Sequence, residues 1–153
     1  MNKKKIYYAK HLIDNNDIEA VKKVLKSSTL TQGNFVNKFE KDLSIFFKSR
    51  YATAVSSGTA ALHLAGKILN WKKNDIIIVS PITFLATANC IEQTGARPYF
   101  VDINLNDYSI DLDKLEKILF KFKKKVKAVI ITDFAGHPAD WKNLLRLKKK
   151  YKI

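Results

Sequence analysis

Two short stretches carry residue types able to hold a small anionic ligand. Ser56-Ser57-Gly58-Thr59-Ala60-Ala61-Leu62 reads as a tight turn from a strand end into a helix, with hydroxyls inside it. Such a turn aims free backbone amides, the positive end of a helix dipole and the Thr59 hydroxyl at one small volume, an arrangement that holds a phosphate. The spacing is neither the G-x-x-x-x-G-K-[ST] of a nucleoside-triphosphate loop nor the G-x-G-x-x-G of a dinucleotide turn. Small residues here serve equally to let a helix lie close to a sheet, and both readings stay open. The second stretch, Ser80-Pro81-Ile82-Thr83-Phe84-Leu85-Ala86-Thr87-Ala88-Asn89, also leaves a strand and opens a helix. Consecutive strand ends of a parallel sheet share one rim, where ligands bind, so Phe84 could offer a flat apolar face to a ring held at Gly58 and Thr59. As a core phenylalanine it would need no ligand at all.

The elements that must position these corners follow from periodicity. Ile18, Val21, Val24 and Leu25 recur at helical spacing with Asn16 as a cap, and Phe35, Val36, Phe39, Leu43, Phe46 and Phe47 do so again as an amphipathic core helix. From residue 51 the rhythm becomes strand, turn, helix. Expected strands cover 51–56, 75–80, 97–102 and 127–132, with helices at 59–69, 83–93, 112–122 and from about Pro138 to Tyr151. Apolar strands alternating with amphipathic helices predict an α/β fold, a mostly parallel sheet covered on both faces. Lys123-Lys124-Lys125 and Lys148-Lys149-Lys150 fall at helix ends, where cations complement the dipole. The last helix runs into Lys152-Ile153, where the earlier units pass directly into a strand, so a missing continuation is the expectation.

The whole chain narrows the function classes. Its 153 residues suffice for one domain core, and 46% hydrophobic residues with only 5 Gly and 3 Pro exclude disordered and collagen-like classes. The net charge of +14 is nearly all lysine; arginine, the residue of bidentate phosphate and base reading, appears only as Arg50, Arg97 and Arg146. No nucleic-acid partner is expected. Cys90 is the single cysteine, which excludes an internal disulfide framework and suits a reducing compartment. No apolar run is long enough to span a bilayer and no leader is evident behind Met1, so a cytoplasmic location without membrane contact is expected. His11, His63 and His137 are too scattered for a metal site. Asp102 and Asp140 suit capping, and Asp133 shares with Asp140 the turn around His137.

Five segments in order, Thr29-Leu30-Thr31-Gln32-Gly33, Ser57-Gly58-Thr59-Ala60-Ala61-Leu62, Pro81 to Asn89, Phe100-Val101-Asp102-Ile103 and Ala135-Gly136-His137-Pro138-Ala139-Asp140, carry a family likeness. Together they resemble the DegT/StrS family of pyridoxal-phosphate (PLP)-dependent nucleotide-sugar aminotransferases, and within it the enzymes aminating a UDP-linked 4-keto-6-deoxy sugar. The resemblance implies an incomplete aspartate-aminotransferase-type (fold type I) large domain, with residues 1–34 an N-terminal helix and substrate-loop segment and 35–153 the partial PLP-binding domain. It implies PLP held by Gly58, Thr59, Ala60 and Phe84, and a nucleotide-sugar substrate met by Tyr8, Thr29, Leu30 and Thr31. An amino-acid donor and a homodimer are its further implications.

One departure bears on activity. In the family, the aspartate that pairs with the pyridine nitrogen and the Schiff-base lysine follow the region matched here, and no lysine present stands in that lysine's context. The resemblance therefore assigns this chain no catalytic residue and no covalent cofactor attachment. A non-catalytic remnant that binds PLP, a nucleotide sugar or a full-length paralogue is the alternative.

Overall fold

A computed structural model describes Tyr7 and residues 9–153. They fall into two compact units dividing between Ala54 and Val55. In the first unit, α1 (Asn15–Leu25) starts at Asp14 and not at the expected cap Asn16. The Asp14 carboxylate accepts the Asn16 and Asp17 N–H groups at 2.8 and 3.1 Å, and the Asp17 carboxylate accepts the Asp14 N–H at 2.9 Å. That reciprocal box places the start one turn-edge earlier than the apolar spacing does. α2 (Asn34–Phe46) follows Gly33 without a side-chain cap. Neither helix buries a residue, so the expected core role of the second is corrected: Val21, Phe39 and Phe46 stay exposed. Periodicity reports which face is apolar, not whether anything covers it.

The expected strand at 51–56 is also corrected, because among the described residues that segment joins no sheet. An extended run becomes a strand only by exchanging ladder bonds with a neighbour, and here the Ala54 N–H donates instead to Glu40 Oε1 at 2.8 Å.

The second unit runs α3 (Gly58–Ile68), β1 (Ile76–Val79), α4 (Leu85–Glu92), β2 (Arg97–Phe100), α5 (Leu112–Phe122), β3 (Val126–Ile130) and α6 (Trp141–Tyr151). The sheet is parallel in the order β2-β1-β3, with Ile78 opposite Tyr99 on one side and Val129 on the other. Every residue of β1 is buried. Its alternation splits the core in two. Ile76 and Ile78 join Leu115, Leu119, Leu144 and Leu147 from α5 and α6. On the opposite face, Ile77 and Val79 join Trp71, Cys90 and Ile91. Both faces are therefore covered, as a parallel sheet requires.

The helices carry their own start signals. Asp140 caps α6 by accepting the Asn143 N–H at 3.0 Å. Asp111 caps α5 by accepting the Asp113 and Lys114 N–H groups, each at 3.0 Å. The Lys114 amide, with the Lys114 ammonium at 3.5 Å, holds the Asp111 carboxyl below its ordinary value. A lowered folded-state value contributes stability that is complete above the unfolded pKa and disappears as pH falls through the folded one. Asp111→Ala is thus expected to cost about 1 kcal/mol near neutrality. The difference from the parent should shrink below about pH 4, read as urea midpoints across a pH series.

Candidate functional site

The first corner is the amino end of α3. Ser57 is its N-cap: its Oγ accepts the Ala60 N–H at 3.1 Å, and its carbonyl accepts the Ala61 N–H at 3.0 Å. Neither the Gly58 nor the Thr59 amide donates to a protein acceptor among the described residues. Gly58 has an ordinary backbone, and a Cβ built on it meets no atom within 4 Å. Its lack of a side chain is therefore not a packing requirement of the fold. Of the three residues expected to meet a phosphate, Gly58 and Thr59 present unengaged amides, while the Ala60 amide is held by Ser57. That cap was missed by reading every amide of the corner as free. A serine just before a helix was the available signal.

The second corner joins β1 to α4. Ser80 is buried and its Oγ accepts the Ile82 N–H at 3.3 Å. Phe84 is the N-cap of α4, in extended conformation with no side-chain cap bond, and its ring is 76% exposed. The core reading of Phe84 is excluded: this ring is presented, not packed. α3 and α4 lie against each other, so the two corners belong to adjoining helices.

A hydroxyl chain not anticipated from sequence braces the second corner. Thr83 and Thr87 share a hydrogen bond at 2.9 Å, and the Thr132 hydroxyl donates to Thr83 Oγ1 at 2.8 Å. This ties the approach to α4 to the segment just after β3. The i,i+4 spacing of Thr83 and Thr87 was readable, whereas Thr132, from a different βα unit, was not.

Asp133 Oδ1 accepts the Ala139 N–H at 2.9 Å and the Trp141 Nε1–H at 3.1 Å, so it braces the turn that carries exposed His137. Asp102 accepts the Lys114 ammonium at 2.7 Å and the Ile103 N–H at 2.9 Å; the Lys114 bond lowers its carboxyl below the ordinary range. Cys90 is fully buried, burial raises its thiol, and it donates to the Thr87 carbonyl. These are structural roles.

The expected substrate residues lie in the first unit. Tyr8 falls outside the described residues. Thr29 borders a shallow polar hollow with Ser28, Gln32 and Asn34, and Leu30 and Thr31 are exposed beside it. The turn is closed by the Ser27 hydroxyl donating to the Thr29 carbonyl at 3.0 Å. Among the described residues no helix is long and apolar enough to cross a membrane.

The model described as the DegT/DnrJ/EryC1/StrS aminotransferase family matches residues 11–153. The chain is similar to the UDP-4-amino-4,6-dideoxy-N-acetyl-beta-L-altrosamine transaminase of Campylobacter jejuni subsp. jejuni serotype O:2, 39% identical over 95% of this chain and 38% of that protein. Among solved structures it is similar to Helicobacter pylori PseC, an aminotransferase involved in the biosynthesis of pseudoaminic acid. There the identity is 33% and the TM-score 0.85, over 98% of this chain and 40% of that one. It is also similar to the sugar aminotransferase Spr1654 of Streptococcus pneumoniae in its PLP form, at 29% identity and TM-score 0.85, over 95% of this chain and 36% of that one. The chain therefore spans well under half the length of the relatives it matches. The likeness bears out the expected incomplete large domain of the aspartate-aminotransferase type (fold type I).

Proposed function

Because the chain belongs to the DegT/DnrJ/EryC1/StrS aminotransferase family, we propose that it is the N-terminal portion of a PLP-dependent aminotransferase acting on a nucleotide-linked 4-keto-6-deoxy sugar. The observation that carries this reading is the amino end of α3, where the Gly58 and Thr59 amides have no protein acceptor among the described residues and a Cβ at Gly58 would meet no atom within 4 Å. PLP, when bound, supplies an electron sink for amino transfer. The protein's part is to bind and orient. The Gly58 and Thr59 amides and the Thr59 hydroxyl donate to the phosphate, and the helix dipole favours its charge. Ala60 joins them only if Ser57 releases its N–H. The exposed Phe84 ring offers a flat face to the pyridine ring, steadied by the Thr83–Thr132 brace. Tyr8 and the Thr29-Leu30-Thr31 turn serve the nucleotide sugar, and a homodimer is the working assembly of the whole protein.

This chain by itself binds the cofactor without a covalent bond. Equilibrium dialysis of PLP against the full chain should show saturable binding. Gly58→Val and Phe84→Ala should each weaken it at least tenfold with the melting temperature unchanged, since neither side chain is packed. Binding that ignores Gly58→Val, or a borohydride-fixed adduct mapping to an internal lysine, would overturn the reading.

A further inference from the structure

The chain's charge is gathered in two segments. Residues 112–127 and 139–153 carry 13 of the 28 Lys and Arg and 3 of the 14 Asp and Glu, a net +10 of the chain's +14. Elsewhere 15 cations meet 11 acids, so a general bias toward lysine does not account for the difference; acids are missing from these segments. The segments form α5 with the lysine turn and start of β3 behind it, and α6. Both helices pack on the same face of the sheet, through Leu115, Leu119, Leu144 and Leu147. The Glu116 carboxylate joins them, accepting the Lys150 ammonium at 2.7 Å and the Tyr151 hydroxyl at 3.3 Å.

Helical spacing decides where the cations stand. With those leucines turned to the core, Lys117, Phe120 and Lys121 of α5 and Lys142, Arg146 and Lys149 of α6 fall on the opposite sides of their helices, and all six are exposed. All 13 cations of the two segments are exposed, and only Lys114 and Lys150 make an ion pair among the described residues. Phe120 is 66% exposed, with the Lys123 ammonium 5.4 Å from its ring centre. Massing one sign of charge costs stability through self-repulsion, and a surface of the opposite sign relieves it.

We infer that the outward face of α5 and α6 adsorbs to an anionic lipid bilayer, its cations meeting the headgroups and Phe120 entering the boundary between headgroups and acyl chains. Two adjoining helices offer a broad basic face to a planar surface, and diffuse attraction needs charge near that surface without bidentate geometry, so lysine serves. An exposed phenylalanine framed by lysines is the composition of an interfacial face. A nucleic acid is the poorer fit. Arg146 is the one arginine among the 13 cations, and Phe120 the one ring in the two outward rows, where strand recognition uses successive stacking rings. Among the described residues no helix is long and apolar enough to cross a membrane, so the contact is peripheral. The expectation of no membrane contact, drawn from the lack of a spanning run, gives way to it. The inference is independent of PLP binding.

The test sediments the untagged full chain with vesicles of phosphatidylcholine containing about one third phosphatidylserine, at about 0.1 M salt. Binding should saturate, be absent from vesicles of phosphatidylcholine alone, and weaken roughly tenfold or more at about 0.5 M salt. Each cation held near such a surface strengthens adsorption about fivefold, so the triple variant Lys142→Gln, Arg146→Gln, Lys149→Gln should bind roughly thirtyfold more weakly or worse. The triple variant Lys67→Gln, Lys72→Gln, Lys73→Gln removes the same charge at the end of α3 and next to Trp71, on the other face of the sheet. It should lose less than about threefold. Phe120→Ala should weaken binding about threefold or more, and Phe120→Trp should restore it. All these positions are exposed, so the variants fold, checked as an unchanged melting temperature. Equal binding to both vesicle types, binding to neither, equal losses from the two triple variants, or a Phe120→Ala chain that binds like the parent overturns the inference. So does an oligonucleotide, duplex or single-stranded, that binds more tightly than the anionic vesicles and responds to the first triple variant.

Discussion

Gly66→Val is expected to destabilise the second unit by roughly 3 kcal/mol, the upper end of what overpacking a close-packed core costs. Gly66 lies inside α3, where replacing glycine ordinarily gains about 1 kcal/mol of helix propensity. Geometry reverses that gain. A Cβ at position 66 would sit 2.7 Å from Trp71 Cε3 and 3.0 Å from Thr94 Cγ2. The Trp71 ring is 6% exposed and packs with Ile77, Val79 and Ile91, so it has nowhere inexpensive to go. Gly66→Ala should therefore also destabilise, by about 1 to 2 kcal/mol, the clash outweighing propensity. Trp71→Leu in the same chain should recover part of that loss, because the two sites touch and their effects will not add. Urea midpoints of these three variants and of Trp71→Leu alone measure this. An alanine at 66 that stabilises would show that α3 does not lie against Trp71 as described.

That contact shows where sequence reasoning stops. Gly66 sits unremarkably between Ala65 and Lys67, and only the approach of Trp71, from beyond the helix, reveals why a side chain is excluded. The strand at 76–79 was legible because a buried parallel strand is a short continuous apolar run, those at 97–100 and 126–130 from their place in the strand, turn, helix rhythm, and α5 from its 3.6-residue period. The segment at 51–56 reads as a short β-rich run yet pairs with no strand among the described residues, since composition cannot say whether a neighbouring strand exists. At the candidate site the first corner was readable locally, as a glycine and hydroxyls at a helix start, although the strand expected before it does not form among the described residues. The Ser57 cap restricts that reading to two free amides. The Thr132–Thr83 bond joins residues 49 positions apart, and no local pattern encodes such a partner.

Those corners hold their geometry only if β1 holds its place, which makes Ile78 the second critical residue. Its side chain has no exposure, and it lies at the centre of the sheet, paired to Tyr99 and Val129. It belongs to the larger of the two core clusters, with Leu115, Leu119, Leu144 and Leu147 from the covering helices. Ile78→Ala removes three carbons where β2 and β3 fix the backbone on either side, so collapse around the cavity is restricted and the cost should be about 4 kcal/mol. Leu105→Ala, at a 79% exposed position, should change stability by less than about 0.5 kcal/mol and serves as the control. A stability of ordinary size, about 5 to 15 kcal/mol, would leave Ile78→Ala folded but marginal. The urea midpoint should fall with an unchanged slope. Because Ile78 packs in the cluster under α5 and α6, to which no residue of either corner belongs, PLP affinity measured well below that midpoint should stay within about threefold of the parent, a shift of under 1 kcal/mol. A loss of less than 1 kcal/mol in stability would mean that β1 is not the strand around which the two faces are built.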